Sequence, residues 1–132
     1  MNTHRQFWPL AVAVVAPLMA GAAPAGTGTP GLTGNWARDD GGTRITIAPC
    51  GGAEICAVNE WVQNPKGPER VGDELILTLQ PVTADRLKGQ AYDVRRKLHF
   101  TMTITLNGAA MRTSGCVFLG LLCKSASWTR IN

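Results

Sequence analysis

The stretch LHFTMTITLNG, residues 98–108, decides how the chain folds. Leu98, Phe100, Met102, Ile104 and Leu106 occupy every second position, and His99, Thr101, Thr103 and Thr105 lie between them. Successive side chains of a strand point to opposite faces, so this reads as a strand with an apolar inner face and a Thr-rich outside. Asn107-Gly108 then supplies the two-residue turn of a type I′ hairpin, whose central positions need positive φ. RITI, residues 44–47, alternates in the same way, with Ile45 and Ile47 inward. ELILTLQPV, residues 74–82, puts Leu75, Leu77 and Leu79 on one face. No stretch beyond the N-terminal region sustains a 3.6-residue period.

Turn signals separate such runs at short intervals. They fall at Asp40-Gly41, Gly51-Gly52, Asn64 to Pro68, Thr83 to Asp85, Arg95 to Lys97, Asn107-Gly108 and Phe118 to Gly120. Eight strands are predicted, at about 34–38, 43–49, 54–62, 72–81, 86–94, 97–106, 109–117 and 122–130. The fold class is therefore all-β: an eight-stranded antiparallel up-and-down meander. Such a meander closes into a barrel or leaves two exposed edges. Closure sets GNWAR, residues 34–38, beside SWTRIN, residues 127–132. Gly34, Trp36, Trp128 and Arg130 are the expected closure residues. Alternation puts Trp128 and Arg130 on one face, taken as inward. Trp36 is expected to plug one end, with the Arg130 guanidinium within about 6 Å of its ring. A buried Arg also needs backbone carbonyls to bond.

The chain has 132 residues, the length of one domain. MNTHRQ followed by FWPLAVAVVAPLMAGAA has the positive start, apolar run and small-residue end of a secretory signal peptide. Residues 1–25 are read as signal and cleavage region, 26–31 as a flexible lead-in, and 32–132 as the barrel domain. Cleavage is expected between Ala22 and Gly26, with export to the periplasm or beyond. No second apolar run approaches a membrane span. Thirteen Lys and Arg against nine Asp and Glu give +4, and loss of Arg5 leaves +3. Arg95-Arg96-Lys97 is the one basic cluster and is expected to be solvated. No basic face is interleaved with aromatics, which argues against nucleic-acid binding.

The four cysteines are spaced Cys50-x5-Cys56 and Cys116-x6-Cys123. Both gaps are wider than the usual zinc-ligand spacing, so no metal is expected. In an oxidising compartment disulfides are expected instead. Three pairings are possible, and the local one, 50–56 with 116–123, is favoured because each pair brackets a hairpin turn.

A Gly-x-Trp opening an eight-stranded meander, with an Arg on the last strand, resembles the calycin pattern of lipocalins and fatty-acid-binding proteins. A fuller set resembles a family of small exported bacterial proteins, domain of unknown function 2147. The set is Gly34-Asn35-Trp36, Ile47 to Cys50, Ile55-Cys56, Gly89 to Asp93, Gly115-Cys116 and Trp128-Thr129-Arg130. The chain departs from that pattern at Ala57, at Val94 and in the short segment Arg95 to Lys97. The resemblance implies a small lipocalin-like barrel and an exported setting. It brings no activity with it.

Chemistry is hard to find along the chain. His99 lies among the outward threonines with no nucleophile beside it. Asp39 and Asp40 sit in a turn, where Asp bonds backbone. Gly41-Gly42 and Gly51-Gly52 precede no helix and are not phosphate loops. No enzyme activity and no cofactor are expected. The remaining candidate is the barrel interior, lined by Ile45, Ile47, Leu77, Leu79, Phe100, Met102 and Ile104. An eight-stranded barrel is either filled by side chains or holds one small ligand. Two functions therefore stand: a carrier of a small hydrophobic molecule in the envelope, or a structural or protein-interaction barrel with a filled core. The sequence does not specify a protein partner.

Overall fold

The computed structural model describes residues 11–16 and 31–132. The expected signal peptide, its cleavage site and the lead-in up to residue 30 lie outside the described residues, apart from 11–16. Eight strands follow one another: β1 Gly34–Arg38, β2 Thr43–Gly51, β3 Glu54–Val62, β4 Glu74–Pro81, β5 Arg86–Asp93, β6 Leu98–Asn107, β7 Ala110–Val117 and β8 Leu122–Arg130. Each pairs antiparallel with the next, and β1 pairs with β8, so the sheet closes into a barrel. At the seam Trp36 faces Arg130 and Arg38 faces Trp128.

The strands form where the alternation placed them, with local differences at the ends. β2 runs on to Gly51 because Cys50 is accommodated in a bulge, where the register shifts between Pro49 and Gly51. β4 starts at Glu74 rather than 72, because residues 70–73 make a turn closed by Asp73 N–H bonding the Arg70 carbonyl. Lys97 has φ of 53° and stays in the β5–β6 turn. Gly108 has φ of 58°, the conformation that the Asn-Gly turn demands.

Antiparallel alternation gives the barrel two distinct ends. The short turns 52–53, 82–85 and 108–109 share one end with residues 31–33 and 131–132. Loops 39–42, 63–73, 94–97 and 118–121 share the other. The core runs between them and includes Leu32, Trp36, Ile47, Leu77, Ile104 and Met111. The apolar face of β6 is covered from Phe100 to Leu106, whereas Leu98, at its mouth end, is 45% exposed.

Candidate functional site

The end where the chain enters is plugged. Trp36 is fully buried, and its indole N–H donates to the Leu32 carbonyl at 3.0 Å. That bond folds residues 31–33 under the barrel and buries Leu32. The Arg130 guanidinium lies 4.4 Å from the Trp36 ring centroid. It also donates to the carbonyls of Thr33, at 2.9 Å, and Gly31. Gly34 makes this stacking possible. Its φ is +142°, and a Cβ there would overlap the Arg130 guanidinium and come 2.8 Å from the Asn132 carbonyl oxygen.

The opposite end opens into a cavity of about 220 Å³. Its floor is apolar: Ile45, Ile47, Leu77, Phe100, Met102 and Ile104 all contribute, as does Trp128. The Trp128 indole N–H is held by the Thr113 hydroxyl at 3.0 Å. The rim is charged. Arg38 donates to both oxygens of Glu69, at 2.6 and 3.1 Å, and to Asp40 at 2.8 Å. Buried Thr43 donates to Glu69 at 2.7 Å. The Arg38 hydrogen bond holds the Glu69 carboxyl below the usual carboxylate range, against the opposing effect of burial. Glu69 in turn is the main cause that raises Arg38 above its ordinary value. On the far side Arg96 donates to buried Asp93 at 2.7 Å, and Arg95 holds Asp73 at 2.6 and 2.8 Å. The Asp73 carboxyl is lowered, chiefly by Arg95. Both arginines also reach the Pro68 carbonyl, at 2.7 and 2.6 Å, and so tie loop 63–73 across the mouth.

Of the seven candidate lining residues, six line the cavity. Leu79 does not; it packs half-buried against the core nearer the plugged end. The four closure residues divide between the two sites. Gly34, Trp36 and Arg130 form the plug, and Trp128 lines the cavity beneath Arg38, whose guanidinium lies 6.0 Å from its ring. The four cysteines form bridges 50–56 and 116–123, the local pairing, with Cα separations of 5.6 and 4.1 Å. The basic run is exposed, as expected, and in addition Arg95 and Arg96 anchor loop 63–73 through the Pro68 carbonyl and, for Arg95, Asp73. Among the described residues, no three His, Cys, Asp or Glu side chains gather where they could hold a metal ion.

Sequence reasoning missed the rim. Part of it was visible: Arg38 continues the inward series Gly34, Trp36, and Asp93 continues Leu87, Gly89, Ala91. Glu69 has no such signal, because it sits in an aperiodic loop and reaches the mouth only when that loop folds over.

A plug at one end and a seam that pairs the first strand with the last define a small closed antiparallel β-barrel. Within that class the chain belongs to the bacterial family described as an uncharacterized protein conserved in bacteria (DUF2147), which matches residues 34–130. The match begins at Gly34 and ends at Arg130, the two residues that meet over Trp36. No curated protein and no solved structure matches the chain.

Proposed function

We propose that this protein is an exported barrel that holds one small hydrophobic molecule within the bacterial envelope. The observation that carries the reading is the apolar cavity above the Trp36 plug, reached through a charged mouth. Apolar cavities of roughly 150 Å³ take up benzene, and typical pockets for drug-sized ligands start near 300 Å³. A cavity of about 220 Å³ therefore suits one ring or a short alkyl segment rather than a whole lipid. The role is binding, not catalysis: of the charged residues lining the cavity, Arg38, Glu69, Asp73, Asp93 and Arg96 are committed to ion pairs, and Glu74 alone, among the described residues, has none. Export is supported by the signal-like N-terminus and by two disulfides in a domain of just over a hundred residues.

The six isoleucines test the cavity directly. Ile45, Ile47 and Ile104 line it, and Ile55, Ile76 and Ile131 do not. Titration with benzene or 1-hexanol, followed by methyl NMR, should shift the first three selectively and saturably. Shifts confined to the other three, or no shifts, would refute the reading. The alternative, an interaction barrel without a ligand, draws its support from exposed apolar residues in the β7–β8 loop.

A further inference from the structure

The β7–β8 hairpin ends in VFLGLLCK, residues 117–124. Phe118, Leu119, Leu121 and Leu122 are 74, 105, 88 and 61% exposed. Four large apolar side chains on one tip are unlike the singly scattered surface hydrophobics of ordinary domains. The tip is also built against local preference. Phe118 and Leu119 have φ of 52° and 56°, a conformation that Gly, Asn or Asp adopts at less cost. Residues held there at an exposed turn point to a role for their side chains. The Cys116–Cys123 bridge, across directly paired positions, staples the base of the tip.

The tip lies at the mouth end, and other exposed apolar residues gather there. Val71 in loop 63–73 is exposed, as are Val94 and Leu98 at the β5–β6 turn. Cations flank them. Lys66, Arg70, Lys97 and Lys124 are exposed and, among the described residues, form no salt bridge. Of the carboxylates at this end, Asp40, Glu69, Asp73 and Asp93 are each held by an arginine, whereas Asp39 and Glu74 form no salt bridge among the described residues. The four free cations still outnumber these two free acids.

We propose that the mouth end is a docking surface for an anionic lipid bilayer, with the β7–β8 tip inserted at the interface and Lys66, Arg70, Lys97 and Lys124 at headgroup level. Charge complementarity and residue type select this occupant. Phe and Leu flanked by Lys and Arg is the composition of interfacial membrane anchors. Protein interfaces draw their energy from Trp, Tyr and Arg, with Leu under-represented. Attachment is peripheral: the outward residues of β6, His99, Thr101, Thr103 and Thr105, are polar, unlike the apolar outer band of a spanning barrel. Among the described residues, no helix is long and apolar enough to cross a membrane. Docking in this orientation faces the cavity mouth toward the bilayer.

The test is flotation with vesicles of phosphatidylethanolamine and phosphatidylglycerol, against vesicles of phosphatidylcholine alone. Wild type should partition onto the anionic vesicles and more weakly onto the zwitterionic ones. Leu119→Asp with Leu121→Asp should lower the anionic partition coefficient at least tenfold. An unchanged thermal melt would show the variant folded, and Asp is at ease at the φ of position 119. Lys97→Glu with Lys124→Glu, which leaves the apolar tip intact, should reduce the preference for anionic vesicles. Wild type that binds neither vesicle, or a Leu119→Asp, Leu121→Asp variant that binds as wild type does, would overturn the proposal and leave the tip to a protein partner. Vesicle binding is read without reference to the cavity, so its failure leaves the isoleucine titration to stand or fall by itself.

Discussion

Gly34 is a glycine because Arg130 lies where its side chain would be, and because its φ of +142° suits no other residue. Gly34→Ala should lower stability by at least about 1–3 kcal/mol, the usual cost of a forced backbone conformation, with the clash added. Trp36→Ala should cost about 3–5 kcal/mol, as for other large core aromatics. Arg130→Ala should cost less, since the arginine is only half-buried. A double-mutant cycle in denaturant should show coupling above about 0.5 kcal/mol, as residues in contact do. Additive effects would mean the stacked pair contributes nothing of its own. Glu69 provides a pH test. Its folded carboxyl is lowered, as is that of Asp73, so both contribute stability at pH values above the ordinary carboxylate value of about 4. That contribution is lost as pH falls through the lower, folded values. Glu69→Gln should cost about 1 kcal/mol near neutral pH, because the pair is partly exposed. It should also flatten the acid limb of a stability–pH curve; an unaltered acid limb would remove Glu69 from the account of the rim.

Among the elements, the hairpins were the most legible in the sequence. Period-2 alternation in β2, β4 and β6 and the Asn107-Gly108 turn fix strands that owe little to distant contacts. The bulge at Cys50 and the turn at 70–73 were not legible, because contacts with β3 help to set both: the register shift against β3 makes the bulge, and the Gly72 N–H and Asp73 carbonyl bond Asn59 beside the local turn bond. Loop 63–73 is the clearest case. Its course depends on Glu69 finding Arg38, and on Arg95 and Arg96 finding the Pro68 carbonyl, and no local pattern encodes such meetings. The disulfides were legible because each joins neighbouring strands of one hairpin. Each closes a ring of fewer than ten residues, worth about 2–2.5 kcal/mol in the chain-entropy model. Replacing Cys50 and Cys56 together by Ser should therefore cost about 2–4 kcal/mol, measured by denaturant unfolding. Non-reducing peptide maps should show two separate local crosslinks, and a peptide joining Cys50 or Cys56 to Cys116 or Cys123 would refute the pairing.

At the scale of the whole molecule, closure is what joins the plug to the cavity. Pairing β1 with β8 places Trp36 and Arg130 under one end and leaves the other to loops. The asymmetry was half legible: GNWAR and SWTRIN announced a meeting of the termini, and alternation supplied most of the apolar lining. The volume left inside was not legible, because it depends on how side chains from eight strands fill the space between them. The charged rim and the apolar tip at one end likewise follow from topology, which gathers loops distant in sequence. The central claim is that this space is occupied by a small hydrophobic molecule. Native mass spectrometry of the protein purified from the cells that make it tests that most directly. The expected result is a one-to-one adduct of a small apolar compound, lost on denaturation and diminished when a bulkier side chain fills the cavity, as in Ile47→Phe. A bare polypeptide mass, obtained under conditions that preserve the fold, would contradict it.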